Sequence, residues 1–538
     1  MAGAAVPFDA VEITTQYAVE EKKKLKKSFG RLDVLFFLLC TIVGFDTIGA
    51  TAASGAEAFT WLIFLGLFFF LPYALLTSEL GSGFPEEGGA YEWVKLAFGR
   101  RVAAVNTLFY WASNPIWVGG SLAFVALAAF NTFFRPLTGF WAYAFQFAFI
   151  WVTIIAATVA VRSGKWLQTL GALVRIFVLG FFTLSVFIYA FKNGVGGVGG
   201  DDFIPTYVGF IGLVPILFFN YAGFEIPSNA GGEIQNPQHD VPAASFRAFV
   251  LSVLLYGGPI LAILVVLSAA QVTSLGGFLD AIKSVYTVWG GSVSPGGTPS
   301  LSGFGLFLGW VSAIVVIIGV LTSAMAWLMG ANRAYAVAAL DGSAPKPMGR
   351  LSKDGTPIVT NIVTGILATI IMILASTVVS GSAEAYFSAV LGLAISTTTI
   401  SYIAVFPALV KLRYSRPDVA RPYRVPFGLA GAWIVSILTT FWALLATVSL
   451  VWPGFGIGWF GTAGNPAEVL ADLGFADQRL LFELTQIVPL VVVLVLGLVF
   501  FQMGEGVRKR EARVAFAVDR VAASEEGVSG DGEGDEVR

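Results

Sequence analysis

The chain has 538 residues, 56% hydrophobic and only 12% charged, with a mean hydropathy of +0.79. A soluble domain carries about 25% charged residues, so this composition excludes an ordinary soluble fold and implies an all-α polytopic membrane protein. One cysteine (Cys40) excludes an internal disulfide and a Cys-based metal site, one histidine (His239) leaves no His cluster for zinc, and the net charge of -2 is uninformative because the charges are segregated.

Twelve stretches reach the ~20 apolar residues that a span needs. They are 33–55, 58–80, 103–133, 139–161, 168–191, 207–230, 244–270, 303–333, 358–379, 384–411, 428–451 and 485–504. The third and eighth are long enough to tilt or to continue past the bilayer. The lysines at 22–27 precede a segment of full spanning length without a small-residue cleavage site, which is not the pattern of a secretory leader. If the N-terminus is cytoplasmic, only Arg135, Lys192, Lys283 and Arg479 of the 32 lysines and arginines fall on the far side. That asymmetry predicts cytoplasmic N- and C-termini and an even number of spans. The outer loops at 271–302 and 452–484 are rich in Gly, Ser and Pro. They read first as solvated connectors, with folding over the mouth as the alternative. The acidic, Gly-rich tail from Ala522 reads as disordered.

Two of these spans carry the same interruption. In the first, an apolar run ends at Val43 and continues through Gly44-Phe45-Asp46-Thr47-Ile48-Gly49. In the sixth, a run ends at Phe219 and continues through Asn220-Tyr221-Ala222-Gly223-Phe224-Glu225-Ile226-Pro227. An acid at bilayer depth is costly and usually functional. Gly and Pro there free backbone groups, which is tolerable only around a protein-lined or watery cavity. Broken helices at matching places in two halves point to the binding site of a secondary transporter. The first break would present backbone N–H groups at a half-helix start, suited to a carboxylate; its alternative is close helix packing by two glycines. In the second, Pro227 removes a donor and the freed carbonyls would suit an ammonium.

Three spaced motifs carry a resemblance. The stretch 219–225, followed by Glu233-Ile234-Gln235-Asn236-Pro237 and Pro242, resembles the sixth-helix signature of amino acid–polyamine–organocation (APC) transporters. Pro85-Glu86-Glu87-Gly88-Gly89-Ala90-Tyr91 resembles that superfamily's loop after the second helix. Asn332-Arg333, Asp341-Gly342-Ser343-Ala344-Pro345 and Gly355-Thr356-Pro357 resemble its eighth-helix exit. The short first break lacks the Gly-Ser-Gly-Ile-Phe form of many members and looks more like the glutamate/γ-aminobutyrate antiporter branch.

The resemblance implies an amino acid permease with a LeuT-like 5+5 inverted repeat. Residues 1–32 would be a cytoplasmic tail and 33–411 the transport core, with helices 1–5 at 33–191 and 6–10 at 207–411. Helices 11–12 would occupy 428–504, and 505–538 a cytoplasmic tail. It implies substrate contacts at Gly44, Asp46, Thr47, Gly49, Phe219, Ala222, Gly223 and Trp327, with coupling or gating at Glu225, Arg175, Tyr221 and Asn114. The third helix offers Asn114-Pro115-Ile116-Trp117 as a kinked wall, and the tenth a run of hydroxyls from Ser396 to Ser401.

Arg175 reads in two ways: as a fixed cation where sodium-coupled relatives hold an ion, or as a side chain snorkelling to the cytoplasmic edge. Glu225 must pair, bind a proton or face water. The expected activity is proton-coupled or exchange transport of amino acids across the plasma (inner) membrane, independent of sodium. The expected partners are an amino acid or related amine, protons and lipids. No enzyme activity, cofactor, metal or nucleic acid is expected, and the oligomeric state is open between monomer and homodimer. The rivals are a polyamine or organocation transporter and a non-transporting sensor on the same fold. An ion channel would need a repeated filter sequence or rings of acids, and none is found.

Overall fold

The computed structural model describes residues 29–509, apart from 164–165, 196–197, 232–233, 268–276, 295–297, 354, 379–382, 460–461, 463 and 474. The lysines at 22–27, Glu233 and the acidic tail lie outside the described residues. Helices dominate: α1 (Arg31–Ile42), α2 (Phe45–Ala53), α3 (Glu57–Gly83), α4 (Ala90–Phe98), α5 (Arg100–Phe133), α6 (Phe140–Ser163), α7 (Trp166–Asn193), α8 (Tyr207–Asn220), α9 (Ile226–Asn229) and α10 (Pro237–Val266). There follow α11 (Gly277–Val285), the short strands β1 (Gly291–Val293) and β2 (Pro299–Leu301), α12 (Gly303–Leu340), α13 (Ile358–Val378), α14 (Ala383–Ser415), α15 (Gly428–Val451), α16 (Pro466–Asp472) and α17 (Arg479–Met503).

Among the described residues nine helices are long and apolar enough to cross a membrane, or ten when the pair α1–α2, bent by 43°, counts as one. Two shorter apolar helices, Tyr207–Asn220 and Ile358–Leu374, stand where the sixth and ninth spans were expected. The expected third and eighth spans are long, at 34 and 38 residues.

Helices α5 and α14 form the centre: 72% and 78% of their apolar windows are buried, against 17% for the peripheral α17. On α13 the two faces separate by helical spacing. Ile358, Ile362, Ile366, Ile370 and Ile373 are exposed, whereas Thr360, Asn361, Thr364 and Ala368 are buried. This polar-in, apolar-out arrangement is what a bilayer solvent imposes, because lipid tails reward no burial of isoleucine while buried hydroxyls and amides find partners.

Within the loop 271–302, the segment Gly277–Val285 is not a solvated connector. Its helix α11 is amphipathic and buries Phe278, Leu279, Ile282 and Val285. Phe278 stacks on Phe45 of α2 at 5.7 Å between ring centroids. The loop 452–484 also folds in part, Leu470, Phe475 and Phe482 forming a small buried cluster.

At the other end, buried ion pairs tie the helix ends together. Glu87 accepts from Arg333 at 3.0 Å, and Glu79 accepts from Arg413 at 2.6 Å and from the Val425 N–H at 2.7 Å. Asp341 gathers Tyr91, Lys95 and Arg100 at 2.6, 3.2 and 3.1 Å. The backbone of Phe29 bridges to the loop beyond α9, the Gln235 N–H donating to its carbonyl at 2.9 Å.

Small residues set the closest helix approach. A Cβ on Gly119 of α5 would stand 2.1 Å from the Ala368 carbonyl oxygen of α13, which is backbone and cannot turn aside. Overpacking of this kind costs about 1–3 kcal/mol. Gly119→Ala is therefore expected to lower the apparent thermal midpoint of the detergent-solubilised protein. The matched Gly180→Ala, whose Cβ meets nothing within 4 Å, should leave it unchanged. Equal midpoints for the two variants would contradict this packing.

Candidate functional site

The first break lies between α1 and α2, where Val43 and Gly44 leave the helical path. A helix end leaves its last four carbonyls without intrahelical partners. At this end all four are met by side chains from other helices. Cys40 O accepts from the Ser323 hydroxyl at 3.0 Å, Thr41 O from Trp327 Nε1 at 2.8 Å, Ile42 O from the Tyr256 hydroxyl at 2.7 Å and Val43 O from Arg175 Nε at 2.7 Å. Tyr256 fills the gap itself, since its hydroxyl also accepts the Gly44 N–H at 2.8 Å and lies 3.2 Å from the Thr47 hydroxyl.

Arg175 does not snorkel. Its side chain is 0% exposed. Besides Val43 O it donates to Gly171 O and Gly319 O, each at 2.7 Å, to the Thr322 hydroxyl at 3.0 Å and to the Ser323 hydroxyl. Its guanidinium also lies over the Phe45 ring at 5.7 Å. A permanent cation thus sits at the negative end of the α1 dipole and braces α1, α7 and α12.

Across the gap, α2 opens with its positive end, and the carboxylate there is the chain's own. Asp46 is buried; its Oδ2 accepts from Trp117 Nε1 at 2.9 Å, and its Oδ1 has no hydrogen-bond partner among the described residues. The carboxylate folds back toward the break, so a Cβ on Gly44 would stand 2.5 Å from Oδ1. Gly49 is different. A Cβ there would meet the backbone N of Phe278 at 2.7 Å, so Gly49 packs α2 against α11 rather than opening onto the gap.

The second break runs from Tyr221 to Glu225. Gly223 takes φ 126°, a left-handed value that favours glycine. Its missing side chain also brings the break against Thr41 of α1, whose Cβ would lie 3.2 Å from an added Cβ. Glu225 is completely buried, and among the described residues its carboxyl is met by three tyrosines and by no cation. The hydroxyls of Tyr110 and Tyr402 donate at 2.6 and 2.9 Å, and that of Tyr73 donates to the second oxygen. Tyr73 also accepts the Gly223 N–H at 3.3 Å. Asn229 extends the network: its Nδ2 donates to the Tyr110 hydroxyl at 3.0 Å, while its Oδ1 accepts the Ala90 N–H of α4 at 2.9 Å.

An aromatic group joins the two breaks. Trp327 lies 5.9 Å from Trp117, 6.2 Å from Phe219 and 6.2 Å from Tyr110, centroid to centroid. Tyr110, Asn114 and Trp117 are spaced i, i+4, i+7 and so share one face of α5. That face offers Tyr110 to Glu225, Trp117 to Asp46, and between them a buried Asn114 Oδ1 with no partner among the described residues.

The structure therefore brings together Gly44, Asp46, Thr47, Phe219, Gly223, Glu225, Asn114, Arg175 and Trp327, with Ala222 beside Gly223 in the second break. It sets Tyr221 apart, stacked on Phe70 at 4.3 Å with its hydroxyl on Leu62 O at 3.0 Å, facing α3 rather than Glu225. The hydroxyls of Ser396, Thr397, Thr398, Thr399 and Ser401 all bond carbonyls three or four residues back in α14. Sequence reasoning missed Tyr73, Tyr110, Tyr256 and Tyr402. For Tyr110, the helical spacing to Asn114 and Trp117 was the available signal.

The family described as "Amino acid permease" matches residues 29–458. The chain is 28% identical over 416 residues to an uncharacterized transporter of Legionella pneumophila, covering 74% of this chain and 84% of that one. It is 26% identical over 408 residues to a Lactococcus lactis protein named "Probable agmatine/putrescine antiporter AguD", covering 74% and 83%. It is 21% identical over 389 residues to the mouse solute carrier family 7 member 12, covering 70% and 76%. A solved manganese transporter of Eremococcus coleocola aligns over 88% of this chain and 94% of that chain, at a TM-score of 0.49 and 12% identity.

The capping of α1 predicts an order of stabilities. Each buried acceptor left without a donor costs about 1–3 kcal/mol. Trp327→Phe keeps the ring and strips one carbonyl, Thr41 O. Arg175→Ala strips Val43 O and uncovers the helix dipole. In detergent, Arg175→Ala is expected to unfold at a lower temperature than Trp327→Phe, and both below wild type. An Arg175→Ala protein as stable as wild type would show that the brace is not needed.

Proposed function

Because the chain belongs to the amino acid permease family, a family of membrane transporters, we propose that it is a secondary active transporter carrying an amino acid or related amine by alternating access. On this reading it has twelve spans with cytoplasmic ends and lies in the plasma (inner) membrane. Helices 1–5 and 6–10 form a LeuT-like inverted repeat, with α1–α2 and α8–α9 as the two broken helices. The site lies between the breaks. Trp327 and Phe219 bracket the substrate, and residues 33–411 carry the transport core.

The observation that carries this reading is the pairing of one charged group with each break: Arg175 on the carbonyl end of α1, and Glu225 inside three tyrosine hydroxyls. A guanidinium among carbonyl and hydroxyl oxygens stands where a coupling cation would otherwise be held, which supports sodium independence. A carboxyl with no cation partner among the described residues, met by three tyrosine hydroxyls that both donate and accept, supports proton exchange at Glu225 during the cycle. The antiporter name of the Lactococcus relative supports exchange as the transport mode and an amine as one class of cargo.

Two measurements test it. Proteoliposomes holding the purified protein should show equal counterflow of labelled substrate in sodium, potassium or choline buffers; a strict sodium requirement would overturn the role given to Arg175. Glu225→Gln keeps the shape and most hydrogen bonds but cannot ionise. It is expected to insert and bind substrate while the pH dependence of transport flattens. A Glu225→Gln profile identical to wild type between pH 5 and 8 would remove Glu225 from coupling.

A further inference from the structure

Helix α17 is the least buried of the spanning helices among the described residues, and the chain continues it to Lys509. Val488, Val492, Val495 and Val499 follow helical spacing and are all exposed, as on a face covered by lipid tails. The same spacing leads on through Gln502 and Glu505 to Lys509. There the apolar surface ends in a cavity of about 400 Å³ between α17 and the start of α5, lined by Arg101, Phe501, Gln502, Glu505, Arg508 and Lys509. We infer that this cavity is a binding site for the headgroup of an anionic phospholipid. Its phosphate lies against Arg101, Arg508 and Lys509, and its acyl chains run along the exposed valines of α17.

Charge is the first support. The cavity carries three cations and one carboxylate, Glu505, which pairs with Lys509 at 2.7 Å. Arg101 meets no carboxylate among the described residues. Its guanidinium lies 5.9 Å from the centroid of the Phe501 ring, and that of Arg508 lies 3.9 Å from the same centroid. Like charges gathered around one ring repel until an anion joins them. The first turn of α5 has no acidic residue and Gly99 supplies no capping side chain, so the amide end of α5 adds positive potential on the same side.

The backbone holds part of this charge in place. Arg508 lies across two glycines: a Cβ on Gly342 would stand 2.8 Å from Arg508 Cγ, and one on Gly504 would overlap the Gly342 carbonyl oxygen. The Arg508 guanidinium donates to Gly342 O and to Phe501 O, the latter at 2.7 Å. Gly342 follows Asp341, which gathers Lys95 of α4 and Arg100 of α5, so an occupant of the cavity adjoins the ties between helix ends. Occupancy should therefore register as stability.

The position favours a lipid over a free phosphate ion. On the proposed orientation the cavity faces the cytoplasmic leaflet, and basic pockets between spanning helices at that level take anionic headgroups. A free ion would gain nothing from the valine face that leads there. The site requires the chain to lie in a bilayer and not that it transports, so its failure would leave the transport reading untouched.

The experiment uses the full chain, delipidated in detergent at fixed ionic strength. Binding is read from thermal stabilisation and from lipid retained in native mass spectrometry. The probes are phosphatidylglycerol, phosphatidylcholine with the same acyl chains, and inorganic phosphate. Phosphatidylglycerol is expected to raise the thermal midpoint and to stay bound, and the other two to do neither. One basic residue near an anionic lipid surface contributes about fivefold, so Arg101→Gln is expected to weaken phosphatidylglycerol binding about fivefold. Lys509→Gln, which also leaves Glu505 without this partner, should weaken it at least as much. Both side chains are exposed, so neither change should move the lipid-free midpoint. Lys353→Gln removes an exposed lysine at the same end but outside the cavity, and should leave binding as in wild type. Equal stabilisation by phosphatidylcholine, or an equal loss in Lys353→Gln, would reveal diffuse attraction and overturn the site. Stabilisation by inorganic phosphate alone would make it a free-phosphate site and overturn the lipid assignment. Arg101→Gln or Lys509→Gln protein that folds and binds phosphatidylglycerol as wild type does would overturn the proposal outright.

Discussion

A helix interrupted inside a bilayer must find partners for the backbone groups that it frees, because lipid offers none. Much of this structure follows from that constraint at the end of α1. Four consecutive carbonyls, from Cys40 to Val43, are met by Ser323, Trp327, Tyr256 and Arg175, which come from α12, α10 and α7. Three separate helices are thereby fixed around one terminus. The charges obey the same polarity: a guanidinium at the carbonyl end of α1, a carboxylate at the amide end of α2. The break is held open by complementary charge on both sides of it, with the Tyr256 hydroxyl between them.

The second break is held differently. Among the described residues its acid meets no cation but three phenols, from α3, α5 and α14, and one of these, Tyr110, is shared with Asn229 and through it with the start of α4. Trp327 connects the two arrangements, its indole nitrogen on Thr41 O of the first break and its ring against Tyr110 of the second. A change in the bonds around Glu225 therefore has a packed, polar route both to the α1 terminus and to the loop before α4.

Most of the spans, and both breaks, were legible because they are local signals. Twenty apolar residues in a row, and Gly or Pro with an acid inside such a run, can be read without knowing what lies opposite. Arg175 was legible as a deep cation for the same reason. Its surroundings were not, and without them snorkelling and burial read equally well. The phenols around Glu225 were illegible because Tyr73, Tyr110 and Tyr402 lie 152, 115 and 177 residues away along the chain, and the sequence holds 15 tyrosines to choose from. Gly49 and α11 show the converse error. A glycine beside a candidate acid looked like part of the same site, and a Gly- and Ser-rich loop looked like a tether. In the fold the glycine is the seat on which that loop's helix rests.

One consequence of the Arg175 brace is electrical. A bound inorganic ion leaves with the cargo, and its charge falls through the membrane potential, at about 2.3 kcal/mol per elementary charge per 100 mV. A guanidinium belongs to the chain and makes no such net journey; each cycle returns it to where it began. On the sodium-independent cycle proposed above, the electrical work exchanged with the membrane would be carried by the cargo and by any protons that move with it.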